Sequence, residues 1–176
     1  MAWKKVSSKS VYKNKWMEIT EDQVVTDYGK QLTYGVVHKE PFALIIPWDG
    51  RHVYLVGQYR YPVDEYSWEF PQGHGEHSSV LETARIELEE ETGLMAKTIK
   101  EVATFNLAPG HHSQKYYVFL ATDLIQGKNN LEPSELGMKV KKVTFDELKR
   151  LIADNIITDS PTMAAYGIIM AKHLLD

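Results

Sequence analysis

The chain has 176 residues, 43% hydrophobic and 25% charged, the balance of one soluble globular domain with a full core. A net charge of −4 disfavours broad binding to nucleic acid or anionic membranes, and the absence of cysteine excludes disulfides, zinc–thiolate centres and thiol nucleophiles. No apolar run approaches a membrane span and the opening MAWKKVSSKS has no apolar export core, so the expected location is cytoplasmic.

In chain order, the first seventy residues read as a β-meander. Trp16–Thr20 and Gln23–Thr26 are short runs of strand-forming residues, Tyr28-Gly29-Lys30 turns the chain, and Leu32–Val37 follows. Phe42–Ile46 and His52–Tyr59 flank Asp49-Gly50, a two-residue hairpin signal. A loop is expected from Tyr61 to His77, with Pro62, Pro71, Gly73 and Gly75. A helix then starts at Ser79, with Glu82 completing a capping box, and stops at Gly93. Strands return at Thr98–Phe105 and Lys115–Thr122, Asp123–Gly137 reads as a polar loop, and Val140–Val143 is a last strand. Thr144 and Glu147 form a second capping box for a helix through Ala153. Ser160-Pro161 caps a final helix whose apolar residues include Ala164, Ala165, Ile168, Ile169 and Leu175. Strands on both sides of a central helix predict an α+β fold, a mixed sheet between helices.

The central helix carries an electrostatic contradiction. Glu87, Glu89, Glu90 and Glu91 crowd its C-terminal end, where the free carbonyls already present partial negative charge. Like charges three and four residues apart cost roughly 0.2–0.5 kcal/mol each. At about 100° per residue, Leu81, Ala84 and Leu88 share one stripe, the expected core face. Glu87, Glu90 and Glu91 share a separate arc, and Glu89 points elsewhere. Either the acids form a solvated face, or a multivalent cation with a preference for oxygen ligands gathers them. Ile86 lies nearly opposite the core stripe, so that side is expected to be covered as well.

Gly73 followed by Glu87–Leu94 resembles the Nudix box, usually written G-x5-E-x7-R-E-U-x-E-E-x-G-U with U aliphatic. Gln58-Tyr59-Arg60-Tyr61-Pro62, Trp68-Glu69-Phe70-Pro71-Gln72-Gly73, Ala108-Pro109-Gly110 and the tail Asn155–Asp159 resemble the ADP-ribose pyrophosphatase and nucleoside-diphosphate-sugar hydrolase branch. The resemblance covers nearly the whole chain. It implies a Nudix domain over residues 41–176 and an N-terminal β-meander over 1–40 that is part of a homodimer interface. It further implies hydrolysis of the diphosphate of ADP-ribose or a related nucleotide sugar, a small-molecule substrate, with Mg²⁺, or Mn²⁺ in its place.

The resemblance assigns roles by position. Glu87, Glu90 and Glu91 match the metal-binding glutamates, and the Gln72 carbonyl matches a further ligand. Arg60, Trp68 and Glu69 match substrate-contacting positions. His111 is a candidate phosphate or ribose contact beside His112, and His74 and His77 admit the same role or a zinc site. The general base falls in the loop Asn129–Met138, where Glu135 matches better than Glu132. The box also departs from its pattern. Ile86 stands at the arginine position, with Arg85 rotated about 100° away. Ser78 replaces the first glutamate, for which Glu76 is a shifted equivalent, and Gln114 stands where the branch often has glutamate. These departures motivate a second expectation, a catalytically weak domain that senses a nucleotide ligand. A dinucleoside polyphosphate hydrolase is a third.

Overall fold

A computed structural model describes residues 3–75, 78–127 and 137–175. The chain forms two compact units, one of Met1–Pro41 with Phe105–Tyr116 and one of Phe42–Thr104 with Tyr117–Asp176.

The first unit is built on an antiparallel sheet of β1 (Lys4–Lys13), β2 (Glu18–Val25) and β3 (Gln31–His38), in that order. β2 is continuous where two segments were expected, and β3 agrees with the expected strand. β1 has no counterpart in the sequence reading. Its residues KKVSSKSVYK are exposed at all ten positions, so no alternation of apolar and polar residues marks it. The turn between β2 and β3 closes through Gly29, whose φ of 78° suits a residue without a Cβ. The segment after Pro109-Gly110 docks on β3: Val37 N donates to His111 O at 2.8 Å, and Ser113 N donates to Val37 O at 2.9 Å. Gln114 is buried there, its amide donating to Glu40 O at 2.6 Å. A structural hydrogen bond thus accounts for Gln114.

The second unit contains β4 (Phe42–Pro47), β5 (His52–Arg60), a 3-10 turn at Tyr61–Val63, β6 (Glu65–Glu69), β7 (Gln72–Gly73) and α1 (Val80–Thr92). After these come β10 (Lys139–Thr144), α2 (Phe145–Ala153) and α3 (Ser160–Lys172). The long strands β8 (Leu94–Asn106) and β9 (Lys115–Gln126) contribute residues to both units. One sheet has the order β7-β4-β9-β8 and another β10-β5-β6. α1 packs on the first sheet, and Ala84 and Leu88 join Ala43, Ile45, Leu94, Phe119 and Ala121 in its core. α2 lies against β10 and β5.

Several expectations need correcting. β4 and β5 do not form a hairpin within one sheet; Asp49-Gly50 is a corner that carries the chain from one sheet to the other, with only a Trp48–Val53 bridge between its arms. Gly50 has φ +90°, and the Asp49 carboxylate accepts from the backbone N–H of Arg51 and His52. Lys142 of β10 closes the corner at 2.7 Å from Asp49 Oδ2, and Tyr54 OH donates to the same oxygen at 3.0 Å. Burial pushes the Asp49 carboxyl up, but Lys142 and the backbone donors outweigh it and hold it well below the usual range. The expected loop from Tyr61 contains two strands, and β9 continues through Asp123–Gln126, which had read as loop. Both deviations come from segments whose strand state is set by pairing partners rather than by their own pattern.

At the helix ends, Ser79 Oγ accepts from Glu82 N at 3.1 Å, and Gly93 ends α1 in a left-handed conformation, its N–H on Glu89 O at 2.8 Å. Leu81 is 39% exposed and lies outside the core stripe, whose buried members are Ala84 and Leu88. The α2 capping box of Thr144 and Glu147 is complete in both directions. In α3 the cap is Asp159 rather than Ser160, and the helix stops at Lys172, short of Leu175.

Candidate active site

Helix α1 turns its Glu87–Glu91 edge towards the β7 corner. Four residues put these two carboxylates one above the other on a helix. The arc expected to stand apart from the core stripe instead borders Ala84 and Leu88 and is packed with them, so Glu87 is 8% exposed and Glu91 only 1%. Glu91 Oε2 accepts from the backbone N–H of Gln72 at 2.9 Å. The Glu87 carboxylate lies over Gly73 so closely that a Cβ there would stand 2.2 Å from Oε1. Gly73 is therefore required by a close approach of a carboxylate, not by its own backbone angles. Glu90 is half-buried, and Glu89 lies on another side, its Oε1 near Gly127. The solvated acidic face does not describe Glu87 or Glu91.

β7 is the short strand that brings the corner to α1. It pairs antiparallel with β4, Leu44 opposite Gln72 and Ala43 opposite Gly73. The segment ahead of it is held residue by residue. Ile45 N donates to Pro71 O at 2.8 Å, and Phe70 N donates to Thr162 Oγ1 at 3.0 Å. Glu69, 1% exposed, takes a two-pronged bond from Arg60, Nε to Oε1 at 2.9 Å and Nη2 to Oε2 at 2.5 Å. This fork geometry is the strong form of a carboxylate–guanidinium pair. Burial alone pushes the Glu69 carboxyl up, but Arg60 prevails and holds it below its ordinary value. The hydrogen bond to Glu69 in turn pushes the Arg60 guanidinium up. Gln72 Nε2 donates to Glu69 Oε2 at 2.6 Å and to Asp159 Oδ2 at 3.3 Å. Burial, and next the nearby Glu69 charge, push the Asp159 carboxyl up.

The residues predicted from sequence thus divide. Glu91, Gln72, Glu69 and Arg60 stand in one connected network, and Glu87 lies beside it over Gly73. Trp68 is on the other side of β6 from Glu69, because neighbours on a strand point to opposite faces. Its ring lies edge-to-face with Tyr66 at 5.7 Å and under Lys141 Nζ at 4.2 Å, and it crosses the bare face of Gly57. His111 belongs to the first unit, where its ring meets His112 edge-on. Glu76, His77, Glu132 and Glu135 lie outside the described residues. Ile86 is half-buried and lines an open groove of about 280 Å³ with Arg85 and with Met95, Ala96 and Ile99 of β8, so the full cover expected on that side is not found.

The oxygen-only donor set of Glu87, Glu90, Glu91 and the Gln72 carbonyl suits a hard divalent cation. As the side chains stand, no three acidic or imidazole groups among the described residues lie close enough together to hold one. Two members of the network were missed from sequence. Asp159 was hidden because proline prefers the first helical position, which made Ser160 look like the cap; the aspartate one residue earlier was the available signal. Thr162 has no local signal, since its hydroxyl accepts from a residue 92 positions away.

A family model for the NUDIX domain matches residues 38–165, and one for the nucleoside diphosphate sugar hydrolase N-terminal domain matches residues 3–37. The chain is 28% identical over 176 residues to an ADP-ribose pyrophosphatase of Bacillus subtilis, covering 98% of this chain and 95% of that one. It is 29% identical to an ADP-ribose pyrophosphatase of Mycobacterium tuberculosis, over 96% and 82% of the two chains. It is 26% identical to a methanol dehydrogenase activator of Bacillus methanolicus, over 98% and 95%. Among solved structures, an ADP compounds hydrolase superposes with a TM-score of 0.86 over 97% of this chain and 94% of that one; at 18% identity the likeness concerns the fold. The α+β architecture is the Nudix fold, no helix among the described residues is long and apolar enough to cross a membrane, and the chain belongs to the Nudix family as a hydrolase.

Proposed function

We propose that this Nudix hydrolase cleaves the diphosphate of ADP-ribose or a related nucleoside diphosphate sugar, with Mg²⁺, to a nucleoside monophosphate and a sugar phosphate. The observation that carries this reading is the pair of buried carboxylates, Glu87 and Glu91, closed on the Gln72-Gly73 corner. Burying two carboxylates four residues apart is costly unless donors or cations offset it. The substrate class draws its support from the names of two relatives, both ADP-ribose pyrophosphatases.

Glu87, Glu90 and Glu91 are the proposed ligands of Mg²⁺, joined by the Gln72 carbonyl. Mn²⁺ has the same preference for oxygen. The bound ion supplies charge neutralisation at the diphosphate and lowers the pKa of an attacking water. The chain's own part is orientation. Glu69 occupies the Nε and Nη2 edge of Arg60 and fixes its plane, which leaves the Nη1 side of a part-exposed guanidinium for a phosphate oxygen. Glu135 is the proposed proton acceptor, on its position in sequence. Homodimer formation belongs to the same reading, supported by β1, an edge strand exposed along its length with Val6, Val11 and Tyr12 uncovered.

The test is phosphate-ester release from ADP-ribose, other ADP-sugars, GDP-sugars and UDP-sugars with Mg²⁺, beside Glu91→Gln. Metal-dependent turnover of at least one, abolished in the variant, is the expected result. Calorimetric binding of these ligands without turnover of any would replace the enzyme reading with that of a nucleotide sensor.

A further inference from the structure

The network at the β7 corner has one member that no step of the proposed reaction uses. Asp159 caps α3, its Oδ2 accepting from Thr162 N at 2.8 Å. The same oxygen accepts from Gln72 Nε2, 3.3 Å away and 87 residues earlier in the chain. Gln72 Nε2 also reaches Glu69 Oε2 at 2.6 Å, and Glu69 grips Arg60. One amide nitrogen therefore bridges two carboxylates. That arrangement needs explaining, because a buried carboxylate, Glu69, and a half-buried one, Asp159, sharing a site repel each other.

A cap does not require it. Serine, threonine or asparagine caps a helix about as well as aspartate. Aspartate here reaches past the helix end to a side chain of the site strand. Thr162 secures the link that leads into that strand from the same helix turn, its fully buried hydroxyl accepting from Phe70 N. The first turn of α3 therefore holds both the backbone at Phe70 and the side chain at Gln72. Between those two points the chain runs only through Pro71, whose carbonyl is held by Ile45 N. Removing the Asp159 end would free the Gln72 amide to rotate and loosen its hold on Glu69, leaving that carboxylate to Arg60 and the Ser67 hydroxyl.

We propose that Asp159 is a positioning residue for the reaction: through the Gln72 amide it holds the Glu69 carboxylate, and through that carboxylate it sets the orientation in which Arg60 meets the substrate diphosphate. The proposal rests on the functional reading above for the substrate, but not for the geometry. A loss of orientation at Arg60 weakens substrate engagement, so the effect falls mainly on KM.

The test uses the full chain with Asp159→Ser, Asp159→Asn and Gln72→Leu. Serine keeps a cap oxygen for Thr162 N but is too short to reach Gln72. Asparagine keeps an oxygen for both donors. Asp159→Ser and Gln72→Leu are expected to raise KM for the substrate about tenfold, in the range typical of groups that orient a site. Their thermal midpoints should stay near wild type, and the double variant should be no worse than the worse single one. Asp159→Asn should restore KM to within about twofold of wild type, the direct sign that the bridge matters rather than the charge. Wild-type KM in Asp159→Ser, or a double variant whose effects multiply, would overturn the proposal.

A second readout does not depend on turnover. The side-chain Nε–H of Arg60, observed by NMR in arginine-labelled protein, should exchange with solvent several-fold faster in Asp159→Ser and Gln72→Leu than in wild type. Unchanged exchange overturns the proposal even for an active enzyme. Faster exchange in a wild-type protein inactive on every sugar nucleotide would sustain the bridge and remove the substrate reading alone.

Discussion

At the scale of single residues, the site depends on a carboxylate that lies directly against backbone. Gly73 makes room for it, since any Cβ there would overlap the Glu87 carboxylate. The clash is with the end of a flexible side chain, so the fold can absorb it while the site cannot. On the proposed metal-binding role of Glu87, Gly73→Ala is therefore expected to leave the thermal midpoint within a few degrees and to lower kcat with a divalent cation by about 10–100-fold, the usual range when a ligand loses its setting. Steady-state kinetics beside a melting curve decide it; a variant with full activity would show that Glu87 tolerates displacement. The acidic cluster was legible because helix projection separated three acids from Glu89 without any structure. That Glu91 meets the Gln72 N–H was not legible, since the bond spans 19 residues and a chain turn.

Among elements, the ends of helices were the most readable features. Ser79, Gly93 and Thr144 terminate their helices through bonds with residues three or four positions away, and such bonds leave a local pattern. Gly93 has φ +70°, so Gly93→Ala should destabilise the protein by about 1 kcal/mol, measured by urea unfolding, because a Cβ strains that conformation. The Asp49 corner was misread for the opposite reason. Asp-Gly is an equally good signal for a hairpin and for a turn between sheets, and the choice is made by β10 and β6, which claim the edges of β5.

That corner also sets a pH dependence. The folded Asp49 carboxyl lies below its ordinary value of 3.8, so the stabilisation it provides is fully present above about pH 4. It is lost as pH falls through the lower, folded value. The unfolding free energies of wild type and Asp49→Asn should differ at pH 7 and converge on acidification. A constant gap down to pH 2 would show that the Asp49–Lys142 pair does not titrate with folding.

For the whole molecule, the exposed strand β1 bears on assembly. Ten consecutive exposed positions, with valines and a tyrosine among them, are expected to be covered by a second copy. Sedimentation equilibrium at micromolar concentration should give twice the 20.2 kDa of one chain. A monomer under those conditions would remove the dimer and with it the expected role of residues 1–40.

By itself the sequence determined the class of fold, the position and ends of the central helix, the acids that share one of its faces, and the family. Each of these is written in periodicity, caps or a contiguous motif, and so depends on residues a few positions apart. Only the tertiary structure decided that β4 and β5 part into different sheets, that the segment holding Trp68 and Glu69 is a strand, and that Asp159 reaches Gln72. Those outcomes depend on which distant strands and helices compete for the same edge or donor, and a linear pattern carries no record of that competition.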